Sequence, residues 1–266
     1  MIQEFPIPTE IFTKYNDLTY YDEPHKYYVG DNQLISVTTI IHKYIEEFDE
    51  EYWSNLTANK YNVSVREVLR AWRFINKKGT MKGSIIHDYA ENLFLNKVFK
   101  YPIEEIIAEF GFDPIKEEYN ITKKHVDKFY KRISNILIPV KTELVVFDPE
   151  SMIAGMIDML FYNKRTKQYE LWDWKTNKEF SKQTERYMKD ELFMINENDL
   201  EIYSLQLNLY KYIIEKTTSI KLGDPFIVWF SHRNETYEIM KIEDKSTFVD
   251  IIVKNRINDL KPKKPL

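Results

Sequence analysis

The chain has 266 residues, a formal net charge of −4, 43% hydrophobic and 15% aromatic content, and no cysteine. That is enough apolar side chain to build one large domain, or one domain with a helical appendage. No apolar run approaches the ~18 residues that span a membrane, and the missing thiols exclude disulfides, thiolate zinc sites and iron–sulfur clusters. The opening MIQEFPIPTE has neither a signal-peptide hydrophobic region nor an arginine-rich leader, so a cytoplasmic protein is expected (host cytoplasm if phage-encoded). A net negative charge counts against a nucleic-acid partner only if it is spread evenly, because one groove can be basic on an otherwise acidic surface.

In chain order, Lys26–Val29 and Leu34–Ile35 flank a Gly30-Asp31-Asn32 turn and read as a small hairpin, after which Ser36 or Thr38 can cap a short helix through Tyr44. Ser64-Val65-Arg66-Glu67 is a capping-box pattern opening a helix to about Asn76. Thr80–Leu95, Ile103–Phe110 and Thr122–Leu137 read as three further helices. Lys141–Phe147 is rich in β-branched and aromatic residues and reads as a strand, with Glu143 near its start. Two more apolar runs surround Asn163-Lys164-Arg165-Thr166 and read as a hairpin. Glu179–Asp199 has no clear period and reads as a loop. Leu200–Glu215 is a long amphipathic helix. Pro225–Phe230 and Thr236–Ile242 read as short strands, Lys245–Asn255 as a terminal helix, and KPKKPL as a frayed tail. Helices before and after a central strand cluster argue for a mixed α/β domain. We take residues 1–266 as one domain, with an N-terminal hairpin and helical region over 20–137, a catalytic sheet and its helix over 138–242, and a C-terminal helix and tail over 243–266.

The central hairpin carries the chemistry. Asp158 interrupts its first strand, and the second ends in Asp173-Trp174-Lys175. Carboxylates in apolar strands are costly unless paired, and a divalent cation is an obvious partner. Side chains alternate along a strand, so Asp173 and Lys175 point one way while Trp172 and Trp174 point the other, into the core. If residues 163–166 close the turn, Tyr162 faces Lys167, Asp158 faces Leu171, and Asp173 is the diagonal neighbour of Asp158, roughly 7–8 Å away. A neighbouring Lys141–Phe147 strand would let Glu143 join them. Hard oxygen ligands suit magnesium or manganese. Each acid could equally be an edge-strand charge.

Two helices add candidates. Thr80, Gly83, His87 and Glu91 form one stripe beside the apolar stripe of Ile86, Ala90, Leu93 and Phe94. His87 could bind a metal or phosphate with Glu91 orienting it, or the two could be a surface pair worth a few tenths of a kcal/mol. Gln206 and Tyr210, four apart on one helix, could contact a nucleotide and brace the site, or simply rim a core helix. Lys77, Lys78, Lys82, Lys178 and Lys182 lie close in sequence to these motifs and could contact a polynucleotide backbone.

The order of these pieces resembles the RecB-type branch of the PD-(D/E)XK nuclease superfamily: a glycine–histidine helix, a glutamate, a strand aspartate, a D-x-K strand, then a Q-x-x-x-Y helix. The resemblance runs from about Tyr20 to Glu215; HKYYVGDNQLISVTTII and YSLQLNLYKYIIE resemble segments of phage-encoded exonucleases and mitochondrial genome maintenance exonucleases. It implies a restriction-endonuclease-like α/β core, a mixed central sheet flanked by helices, with an N-terminal helical region. It implies Asp158, Asp173, His87 and Glu143 as metal ligands, and Lys175, Asp158, Asp173 and Glu143 as catalytic residues. Lys175 would orient and activate water, its proton affinity lowered by desolvation and the metal. Gln206, Tyr210, Thr80 and Lys178 would lie against substrate. The implied activity is Mg2+- or Mn2+-dependent exonuclease action on single-stranded or free-ended DNA, leaving 5′-phosphate products, in phage or mobile-element replication, recombination or degradation. A structure-specific or restriction-like endonuclease, and a DNA-end-binding module with an inactive site, are the alternatives. The lack of cysteine departs from the iron–sulfur members, and Asp173 stands where lambda-type members carry glutamate.

Overall fold

The structure, a computed structural model, describes residues 8–21 and 26–262. Parts of the N-terminal MIQEFPIPTE segment and the KPKKPL tail lie outside them.

Among the described residues the first elements are a short helix α1 (Thr9–Lys14) and an antiparallel meander of β1 (Leu18–Tyr21), β2 (Lys26–Val29) and β3 (Asn32–Ser36). Ser36 ends β3 and caps α2 (Val37–His42), its hydroxyl accepting from Thr39 N at 3.0 Å. Helices α3 (Glu50–Tyr61), α4 (Val65–Phe94), α5 (Ile103–Phe110) and α6 (Lys116–Ile133) follow. The central strands β4 (Leu137–Asp148), β5 (Ile153–Asn163) and β6 (Gln168–Lys175) come next, then α7 (Asp199–Thr217), β7 (Phe226–Trp229), β8 (Glu238–Lys241) and α8 (Ser246–Leu260).

Eight strands from both halves of the chain form one mixed sheet in the order β1-β2-β3-β5-β6-β7-β8, with β4 paired to β5. Pairing is parallel at β3–β5 and β6–β7 and antiparallel elsewhere. Helices cover both faces. Leu144, Val146, Ile157, Leu171 and Ile227 pack with α2, α7 and α8. Met159, Phe161, Trp172, Trp174 and Val228 pack with the second half of α4, α5 and α6. The two tryptophans therefore sit in the core, as their alternation in β6 requires.

Three sequence expectations need correcting. Residues 65–94 form one 30-residue helix, not two. The capping box is made in full (Glu67 N to Ser64 Oγ 3.2 Å, Ser64 N to Glu67 Oε2 2.8 Å), and the helix runs through Gly79 and Gly83, each costing ~1 kcal/mol relative to alanine. Second, α6 begins and ends earlier than Thr122–Leu137, because Leu137 opens β4. Third, the β5–β6 register pairs Asn163 with Gln168 and Leu160 with Leu171. Asn163 Oδ1 accepts from Arg165 N (2.9 Å) and Thr166 N (3.3 Å), and Lys167 adopts the left-handed conformation at φ 58°. The turn keeps four residues but sits one residue later in the chain, which removes Asp158 from Leu171 and carries it toward Asp173.

The sheet forks at the site. On one edge β5 pairs with β4 along its length. On the other it pairs first with β3 (Ile153, Ala154) and then with β6 (Met159 to Asn163). Gly155 to Asp158 lie between these two partners. There the Asp158 side chain takes over the role of the ladder, Oδ2 accepting from Trp174 N at 2.6 Å.

Candidate metal centre

His87 reaches this fork from α4, Glu143 from β4 and Asp158 from β5; one ligand atom from each lies within 4.8 Å of the others. Leu144–Ile157 and Thr142–Met159 pairing brackets Glu143 and Asp158, so these acids sit side by side. Glu143 has φ 45°, a left-handed conformation rare for a strand glutamate and of the kind concentrated at functional sites. His87 Nδ1 is 3.5 Å from Asp158 Oδ1.

The electrostatics suit a cation. Burial, then the adjacent Asp158 charge, pushes the Glu143 carboxyl up to about 8. Burial disfavours the charged His87 ring, but Asp158 outweighs it and lifts the imidazole to about 9. Burial works against the Asp158 charge as well, yet His87 and Lys175 hold its carboxyl below the usual range. The site thus crowds two carboxyl groups, Glu143 favouring its protonated form and Asp158 its charged one, against a protonated His87 and the Lys175 ammonium. His87, Glu143 and Asp158 offer one nitrogen and two carboxylate oxygen donors within reach of a single divalent ion.

Asp173 stands just outside the trio. It is 2% exposed, and its Oδ2 accepts no aligned hydrogen bond among the described residues although Lys175 Nζ lies 2.7 Å away. Burial pushes its carboxyl up to about 6 against the pull of Lys175. Burial weakens the proton affinity of Lys175, but Asp173, Tyr203 and Asp158 more than restore it, so with the protein groups alone its pKa is raised. It is fixed from three sides: the Asp173 carboxylate, Gln206 Oε1 at 3.4 Å, and the Tyr203 ring, whose centroid is 4.1 Å from Nζ.

Gln206 and Tyr210 do share a face of α7, and Gln206 Nε2 donates to Tyr210 OH at 3.1 Å. Tyr210 is 3% exposed and lies over Gly155. It therefore braces Gln206, which holds Lys175, and does not itself face open solvent. A Cβ on Gly155 would overlap the Tyr210 ring. Gly155→Ala is expected to cost about 1–3 kcal/mol by overpacking, checked by urea unfolding.

Glu91 does not orient His87; it accepts from Thr142 Oγ1 at 2.7 Å. Gly83 makes room for Thr176, just beyond β6, which a Cβ would meet at 3.4 Å. A cleft of about 1040 Å³ opens in front of His87 and Lys175, and Thr80, Lys78, Lys82 and Lys178 line it. Of the other lysines singled out from the sequence, Lys77 pairs with Glu109 and Lys182 with Glu238.

Two features escaped the sequence reading. The amphipathic pattern of α7 gave Tyr203 no separate role, yet its ring carries Lys175 and its hydroxyl accepts from Asn177 Nδ2 at 2.9 Å. Arg66, Arg70 and Arg73 fall at i, i+4 and i+7 on α4, one exposed stripe leading toward the cleft residues Phe74 and Ile75. The partner helix α3 buries only Ser54 and Ala58 and exposes Tyr52, Trp53 and Leu56. The spacing of the arginines was readable; the solvent exposure around them was not.

No helix among the described residues is long and apolar enough to cross a membrane. No family model and no curated protein matches the chain. Among solved structures, one titled "Crystal structure of SSO0001" is similar at 11% identity, over 69% of this chain and 88% of that chain, with a TM-score of 0.24.

Proposed function

We propose that the chain is a metal-dependent deoxyribonuclease with a restriction-endonuclease-like core, of the RecB-type branch of the PD-(D/E)XK superfamily, acting as an exonuclease on single-stranded or free-ended DNA. The observation that carries the reading is the meeting of His87, Glu143 and Asp158 within 4.8 Å, beside a buried Asp173–Lys175 pair, at the wall of an open cleft. His87, Glu143 and Asp158 would hold Mg2+ or Mn2+, with Asp173 adjoining. Such an ion neutralises a phosphate and acidifies a bound water.

The remaining work falls to the protein's own groups. Lys175, as a fixed ammonium, donates to the attacking water or a non-bridging phosphate oxygen and offsets charge as it develops. Gln206 and Tyr203 hold that ammonium in place, so its position is set before substrate arrives. Thr80 and Lys178 lie along the cleft wall where a strand would pass.

The exposed arginines and aromatics of α3 and α4 support a single-stranded substrate, since arginine pairs with phosphate and aromatic rings stack on unpaired bases. Replacing Arg66, Arg70 and Arg73 together by glutamine is expected to weaken single-strand binding and to lower the salt dependence of log K by about two for three lost contacts, at about 0.7 each. Fluorescence polarisation at several salt concentrations measures this; an unchanged slope removes the arm from the binding surface.

The exonuclease reading is tested with matched linear and covalently closed circular DNA in Mg2+. Digestion of linear strands alone is expected. Cutting of closed circles would replace it with an endonuclease on the same site.

A further inference from the structure

Away from the metal centre, the cleft contains a second group of charges that the hydrolysis does not use. Lys78 and Lys82 project from successive turns of α4, and both reach Glu118 on α6: Lys78 Nζ to Oε1 at 2.6 Å and Lys82 Nζ to Oε2 at 3.2 Å. His232, just after β7, places Nδ1 3.4 Å from Lys82 Nζ and 3.4 Å from Glu118 Oε2. Lys178, in the segment leaving β6, lines the same cleft and makes no salt bridge among the described residues.

The charge does not close. Three ammonium groups face the Glu118 carboxylate, and the other lining carboxylate, Glu179, is taken by Arg233 at 2.7 Å, which leaves two positive charges in excess. Lys82 is only 4% exposed, and a buried cation is expensive unless fully compensated. Burial pushes its pKa down, Glu118 opposes this, and Lys78 and Lys178 add to the downward push. His232 is pushed down by burial and then by Lys82, so it is neutral here and contributes no charge to offset. An anion bound among these groups would relieve all of these costs together.

The size of the excess selects the anion. An internal phosphodiester carries one negative charge, whereas a phosphomonoester carries nearly two at neutral pH. Lys82, with Glu118 and His232 against its ammonium, is the most buried of the three lysines lining the cleft. We infer that the Lys78–Lys82–Lys178 end of the cleft is a subsite for the terminal phosphomonoester of a DNA strand, a specificity element for phosphorylated ends. The inference rests on the nuclease reading above.

The test is binding, not cleavage. Three short single-stranded oligonucleotides of one sequence, carrying a 5′-phosphate, a 3′-phosphate or neither, are titrated into the full chain in EDTA by fluorescence polarisation. One phosphorylated end is expected to bind about tenfold tighter or more than the unphosphorylated strand, the scale of one charge-assisted contact. Inorganic phosphate is expected to erase that advantage. Lys178→Gln, at an exposed position where folding is not at stake, is expected to weaken binding of the phosphorylated strand several-fold more than binding of the unphosphorylated one. Equal binding of all three strands overturns the subsite and leaves the nuclease reading standing. So does a Lys178→Gln loss that is the same for all three, which would mean an ordinary backbone contact. Binding of none of them would overturn both.

Discussion

A Lys175→Ala chain is expected to hydrolyse DNA about 10²–10⁴-fold more slowly in kcat while still binding Mn2+. Lys175 is neither a member of the His87–Glu143–Asp158 trio nor free to move: Asp173, Gln206 and Tyr203 fix it. Its loss removes a positive charge at the reacting phosphate, an interaction realised mainly in the transition state, so kcat should fall more than KM rises. Asp158→Asn is the companion. The amide oxygen can still accept from Trp174 N, which protects the β5–β6 junction, but the ligand charge is gone. That chain should lose metal binding and activity together. Isothermal titration with Mn2+ and single-turnover digestion separate the two variants. Full activity in Lys175→Ala would remove the lysine from the chemistry.

The second large effect concerns the fold beneath the site. Trp174→Ala should lower stability by about 3–5 kcal/mol, the range for a large aromatic truncated in a core. Trp174 is 2% exposed, lies parallel to Phe94 with centroids 5.8 Å apart, and meets Phe129 edge-on at 5.5 Å. Phe161 and Phe230 complete its surroundings. Helices α4 and α6 are fastened to the sheet through this cluster, so the helix that carries His87 depends on it. Urea unfolding followed by far-UV circular dichroism gives the value. Trp53→Ala is the control: 45% exposed on α3, it should change stability by less than about 0.5 kcal/mol. A Trp174→Ala loss no larger than that would mean the α4–sheet contact is not where the stability lies.

What the sequence disclosed follows from how local each signal is. Alternation placed Trp172 and Trp174 in the core and Asp173 with Lys175 on the other side. The capping box at Ser64 and the Q-x-x-x-Y spacing on α7 are patterns of four and five residues, and both stand where the residues put them. The β5–β6 turn was misjudged by one residue at each side because the Asn163 side chain bonds Arg165 and Thr166, an arrangement that propensity alone does not specify. The break expected between Asn76 and Thr80 is absent, and α4 runs straight through Gly79. Burial of the α4 residues Ile85, Ile86 and Ala90 against α6 and the sheet outweighs that local cost. Helix α3 has so little apolar periodicity that nothing in the sequence announced it; it buries only Ser54 and Ala58. Tertiary consequences were the least legible. The left-handed Glu143, the stack of Tyr203 on Lys175 and the shared Glu118 each depend on elements far apart in the chain.

The most direct measurement is digestion of a 5′-labelled single strand by the purified chain in Mg2+, in Mn2+ and in EDTA. The account predicts shortening of the labelled strand in either metal and an intact strand in EDTA. An intact strand in all three, or equal shortening with and without chelator, would contradict it.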